Sequence, residues 1–162
     1  MPLREADALT GGCQCGAVRF RVTQVGRATI CHCRMCQKAF GSFFGPLVTA
    51  QEMVWTRGQP KRFRSSDAVS RGFCAECGTP LTYEVDGNAP ELAIGAFDDP
   101  NQVAPVMQVN PTDKLGFFDA LTALPTRTEY PQEWLDFMAS LHSHQHPDHD
   151  TETWPPAEGV HT

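Results

Sequence analysis

Three short clusters hold all seven cysteines of this chain: Cys13-Gln14-Cys15, Cys31-His32-Cys33-Arg34-Met35-Cys36 and Cys74-Ala75-Glu76-Cys77. A Cys-x-x-Cys pair followed by glycine makes a tight turn that aims two sulfurs at one point. Backbone amides in such a turn can donate to the thiolates. Four thiolates complete a tetrahedral zinc site, so one pair needs a second. The count allows one closed four-sulfur site and one three-sulfur site whose fourth position takes water or substrate. Several pairings satisfy it. The economical one joins Cys13 and Cys15 to Cys74 and Cys77, closing a loop of about 60 residues and restricting the unfolded chain. Cys31, Cys33 and Cys36 then offer three sulfurs from one loop. His32 is a weaker candidate for a fourth ligand, because neighbouring side chains diverge.

Disulfides and redox thiols compete with metal ligation. An odd number of cysteines leaves one thiol unpaired. The N-terminal MPLREADALT lacks the apolar stretch of a secretory signal. No run approaches the about 18 apolar residues of a membrane helix. The expectation is a cytoplasmic protein, in which clustered cysteines bind metal more often than they form disulfides. A thioredoxin-like motif at Cys74–Cys77 is disfavoured, since Pro80 follows where a helix would start.

A chain of 162 residues, 41% hydrophobic, suits one domain with a modest core. Only 20% is charged, and 13 glycines and 13 prolines favour many short strands over long helices. The formal charge of −6 grows more negative once thiols ionise around zinc. Such a chain is a poor ligand for nucleic acid, and no feature supports membrane attachment.

The organisation follows from polarity and turns. Residues 1–10 read as a flexible leader, 11–142 as a single zinc-binding domain and 143–162 as a disordered His- and Pro-rich tail. In residues 17–23, Val18, Phe20 and Val22 alternate with Arg19 and Arg21, as in a half-buried strand. Further strands are expected at 28–31, 43–49, 53–56, 61–64, 69–73, 82–85, 91–94 and 106–109, with a helical turn at 35–40 ended by Gly41. Residues 131–142 form the one convincing helix, with Trp134, Leu135, Met138 and Leu141 on one face. That face is expected to cap the sheet core, and it offers a surface for self-association. The fold class is all-β, mainly strands with one C-terminal helix. The tail histidines, His142, His144, His146 and His149, read as solvated, with weak metal binding the alternative.

The motifs Gly11-Gly12-Cys13-Gln14-Cys15-Gly16-Ala17-Val18, Cys31-His32-Cys33-Arg34-Met35-Cys36 with Gly41, and Gly72-Phe73-Cys74-Ala75-Glu76-Cys77-Gly78-Thr79-Pro80-Leu81 carry a resemblance. Over roughly residues 11–127 the chain resembles the glutathione-dependent formaldehyde-activating enzyme family, which includes centromere protein V. The resemblance implies a zinc-stapled β-tent-like fold, also seen in B-type methionine sulfoxide reductases. It implies a structural zinc at Cys13, Cys15, Cys74 and Cys77. It further implies a second zinc at Cys31, Cys33 and Cys36, treated as catalytic in the founding enzyme. The chain departs from many relatives at Met107-Gln108-Val109, where they carry a His-x-Trp pair, and Phe117 and Phe118 are candidates to supply the aromatic surface.

Zinc with three thiolates and one open position can hold an incoming thiol as thiolate at neutral pH, where a free thiol of pKa about 8.5 is mostly protonated. It can also polarise a carbonyl. Both promote addition of a thiol to an aldehyde. The family reaction joins glutathione and formaldehyde into S-hydroxymethylglutathione. In reverse it cleaves a carbon–sulfur bond, which makes the enzyme a lyase. Three anionic ligands lower Lewis acidity and favour holding a thiol over activating water. Arg34 and Lys38 could meet a substrate carboxylate; surface solvation is the plainer reading for them, as for Glu76. The expected function is a zinc-dependent carbon–sulfur lyase acting on a small thiol and an aldehyde or related electrophile. Its rivals are a non-catalytic zinc-stapled binding module and a redox or metal-buffering protein.

Overall fold

The computed structural model describes residues 7–156. Eight strands form one sheet: β1 (Leu9–Gly12), β2 (Arg19–Cys31), β3 (Gly45–Arg57), β4 (Lys61–Arg64), β5 (Val69–Phe73), β6 (Pro80–Val85), β7 (Glu91–Ala93) and β8 (Met107–Val109). Their order is β1-β2-β3-β7-β6-β5-β4, all antiparallel, with β8 added parallel to β2. Two α-helices, α1 (Arg34–Phe40) and α2 (Gln132–Ser140), and four short 3-10 segments complete the described chain. The all-β expectation holds, with α1 a full seven-residue helix rather than a single turn.

Alternation explains β2 near its start. Phe20 and Val22 are buried, and Phe20 meets Trp55 and Phe97 edge-to-face at 6.2 and 5.1 Å. Leu47, Val48, Ala50, Leu81 and Leu92 extend this core across β3, β6 and β7. Two strands expected at 17–23 and 28–31 are one strand. Its pairing with β3 continues through register shifts between Val22 and Ala28, which bend it without breaking it. The expected strands 43–49 and 53–56 likewise merge into β3, because exposed Gln51 and Glu52 sit on a paired ribbon, not in a turn.

Three further expectations are corrected. The supposed leader contributes β1 from Leu9, paired to Val22 and its neighbours; residues 1–6 lie outside the described residues. The α2 face does not cap the core: Trp134, Leu135, Met138 and Leu141 are each about half exposed. Helical periodicity marks an apolar face but not what covers it. The tail is not disordered over its described part. Residues 143–156 lack helix and strand yet run back over the Cys13–Gly16 turn, while 157–162 lie outside the described residues. There His146 is buried and its N–H donates to the Gln14 carbonyl at 2.8 Å. Trp154 Nε1 donates to the Cys15 carbonyl at 2.7 Å.

Arg19 explains why the tail docks. Read as solvent-facing, it is 2% exposed, its guanidinium held by Asp98 at 2.6 and 2.8 Å and by Asp150 at 2.8 and 2.9 Å. A buried guanidinium without carboxylates is costly, so Asp150 anchors the tail. Burial raises the Asp98 carboxyl, but hydrogen bonds from Arg19 and Thr10 outweigh it and hold it below the ordinary carboxylate range. Its contribution to stability is therefore present above about pH 4 and is lost as pH falls through the lowered folded value. Asp98→Ala is expected to cost about 3–5 kcal/mol, lowering Tm by about 10 °C. Asp98→Asn should flatten the acid limb of a Tm-versus-pH curve; an unchanged limb would remove Asp98 from this account.

Candidate metal centres

The first centre grows from two turns. In one, the Gly16 N–H bonds the Cys13 carbonyl at 3.0 Å, with Gly16 at φ +80°. In the other, the Gly78 N–H bonds the Cys74 carbonyl at 2.9 Å, with Gly78 at φ +79°. Both glycines occupy the left-handed region that side chains rarely adopt. The turns lie between β1 and β2 and between β5 and β6, segments that β3 and β7 separate in the sheet. At about 4.8 Å per strand a flat sheet would hold them well apart. The sheet folds over and brings them together, and Gln14 N–H bonds Thr79 Oγ1 across the gap at 2.9 Å.

The sulfurs of Cys13, Cys15, Cys74 and Cys77 all lie within 4.8 Å of one another. Cys13 and Cys15 are 3.6 Å apart, Cys15 and Cys74 3.9 Å. Tetrahedral zinc with bonds of about 2.3 Å places its sulfurs about 3.8 Å apart, so donor type and spacing both fit the metal. All seven cysteines are free thiols. Val18 N–H points at Cys13 Sγ at 3.3 Å. Burial pushes the Cys13 and Cys15 thiols up. Burial also raises Cys77, but bonds from the Thr79 hydroxyl and backbone outweigh it and bring that thiol down to about 6. Such crowding accepts four thiolates only with a cation among them.

The second centre sits where β2 ends. Cys31 is its last residue, Cys33 caps α1 by accepting the Cys36 N–H at 3.4 Å, and Cys36 lies one turn inside. Their sulfurs also lie within 4.8 Å of one another, and no fourth His, Cys, Asp or Glu among the described residues joins them. Two donors arrive from distant chain. Asn110, just beyond β8 and at φ +52°, donates from Nδ2 to Cys31 Sγ at 3.1 Å. Arg71, on β5, reaches Cys36 Sγ at 3.5 Å. Burial raises Cys31, yet the Asn110 amide and bonds from Cys33 and Cys36 lower it overall. Cys36 is pushed up to about 12 by burial, against the pull of Arg71.

His32 joins neither group of sulfurs. It is wholly buried, with Nε2 2.8 Å from Gln108 Oε1 and its ring edge-to-face on Phe118 at 4.6 Å. Gln108 of the Met107-Gln108-Val109 segment thus holds His32, and Phe118 and Phe44 add the aromatic surface. The tail histidines form no metal-binding group among the described residues, and buried His146 bonds Thr151 instead. Glu76 faces solvent. Arg34 and Lys38 line a cleft of about 430 Å³ with Met35, Ala39, Phe63, Ser65 and Arg71. Arg71 and Asn110 escaped the sequence, because no spacing rule ties them to cysteines 35 and 79 positions upstream.

A mostly antiparallel sheet carrying two thiol clusters, each able to hold a metal ion, defines a cysteine-rich β protein. The family model for glutathione-dependent formaldehyde-activating enzyme matches residues 8–112, and the chain belongs to that family. A Rhodobacter sphaeroides protein of known crystal structure shares the fold with a TM-score of 0.50 and 20% identity, over 62% of this chain and 99% of its own. No helix among the described residues is long and apolar enough to cross a membrane.

Proposed function

We propose that the chain is a zinc-dependent carbon–sulfur lyase that adds a small thiol such as glutathione to formaldehyde or a related aldehyde, in a reducing, cytoplasmic setting. Cys13, Cys15, Cys74 and Cys77 would hold a zinc that staples the folded sheet, and Cys31, Cys33 and Cys36 a second at the reacting centre. The observation that carries this reading is the incomplete ligand set: three convergent sulfurs, no fourth protein ligand among the described residues, and Arg71, which bonds Cys36 Sγ and also lines a cleft.

When bound at this centre, zinc supplies a coordination position that keeps the substrate thiol ionised at neutral pH. Asn110 and Arg71 hold the Cys31 and Cys36 sulfurs by hydrogen bonds, fixing their orientation and drawing off part of their charge. The α1 cap holds Cys33 in the same cluster. In the addition a carbon–sulfur bond forms, the carbonyl π pair moves to oxygen, and the proton lost by the thiol ends on that oxygen. No oxidant is needed.

The test follows adduct formation from glutathione and formaldehyde by NMR exchange. The wild-type protein is expected to raise the exchange rate above the spontaneous one, and Cys36→Ala to return it to background. Equal acceleration by both proteins would end the proposal.

A further inference from the structure

Arg71 is 8% exposed, yet its buried Nη1 has no hydrogen-bond partner in the protein. The other arm reaches Cys36 Sγ at 3.5 Å, and the guanidinium lies 4.9 Å from the Tyr83 ring centroid. A buried, unsatisfied cationic donor carries a large desolvation cost that a matched anion would relieve. Arg71 also lines two clefts that share Ala39 and Phe63, of about 430 and 340 Å³. The larger adds Arg34 and Lys38 and has no acidic residue in its lining, in a chain whose net charge is −6.

We infer that Arg71 is a specificity-determining residue that receives a carboxylate of the thiol substrate through its free Nη1, selecting short carboxylate-bearing thiols over neutral ones. The inference rests on the proposed thiol site at Cys31, Cys33 and Cys36. Two features favour a carboxylate-bearing thiol over a neutral one. A single guanidinium N–H bonds an ionised carboxylate oxygen more strongly than a neutral hydroxyl. The bond to the Cys36 sulfur ties the guanidinium to the proposed thiol centre. Phe63, Met35 and Ala39 give the cleft that Arg71 lines an apolar wall.

Calorimetric binding of thioglycolate and of its near-isostere mercaptoethanol to zinc-loaded protein, at fixed ionic strength, tests this without turnover. Wild type is expected to bind thioglycolate about tenfold more tightly, the gain of one charge-assisted hydrogen bond. In Arg71→Met that ratio should fall to near one, whatever loss both thiols share once the bond to Cys36 is gone. Lys38→Met should keep most of it. Arg71→Lys, which keeps charge and bulk but not the fork, should show an intermediate ratio and serves if Arg71→Met loses zinc or fails to fold. A ratio near one in wild type, or a wild-type ratio surviving in either Arg71 variant, overturns the assignment. A merely structural Arg71 would weaken both thiols equally, which also overturns it. Discrimination without any thiol–aldehyde turnover would sink the lyase reading and leave this inference standing. Turnover without discrimination would do the reverse.

Discussion

Cys74→Ala is expected to purify without metal at the four-cysteine centre and to lose its cooperative thermal transition. Cys74 is 1% exposed and joins the β5–β6 turn to the β1–β2 turn across the fold of the sheet. Structural zinc contributes an apparent binding free energy of about 10–16 kcal/mol in small domains. That is comparable with the about 5–15 kcal/mol that separates folded from unfolded chains. Losing one ligand removes much of the first quantity and leaves three crowded thiols without their counter-charge. Metal content by mass spectrometry and unfolding followed by circular dichroism would show it. A cooperative transition near the wild-type Tm, without metal at this centre, would mean that the core around Phe20 and Leu92 holds the sheet closed unaided.

The double variant Cys33→Ala/Cys36→Ala should behave differently. Metal content is expected to fall from two ions per chain to one, with the fold retained and thiol–aldehyde exchange at the spontaneous rate. The contrast follows from position. The second cluster lies at one end of β2 and on the short helix α1. Trimming packed Cys36 to alanine removes one sulfur from the interior, worth about 1 kcal/mol and a few degrees of Tm. One ion in both proteins would leave a stapled module without reacting metal. Loss of the fold in the double variant would make the second centre structural as well.

The three cysteine clusters were legible because each is built within a few residues. Cys13 to Gly16 and Cys74 to Gly78 carry their turn geometry locally, so spacing reveals it, and β5 likewise matches the strand expected at 69–73. Elsewhere the same local logic misled. It made Arg19 solvent-facing, since an arginine in an alternating strand usually is, and could not foresee Asp150 at a separation of 131 residues. It read 143–162 as a solvated tail because composition reports propensity, whereas docking needs only a few specific bonds, among them Trp154 to Cys15. It gave α2 a buried face because periodicity defines a stripe without its partner.

Ligand chemistry, the grouping of sulfurs within each loop and the all-β class were thus already present in the linear order of residues. They depend on short-range backbone geometry, which nearest neighbours control. The join between the first and third clusters, the Asn110 and Arg71 bonds to sulfur, and the cation-lined cleft arise only when the sheet folds over. That closure is set by side chains packing across strands far apart in the chain, and no spacing within a single segment encodes it.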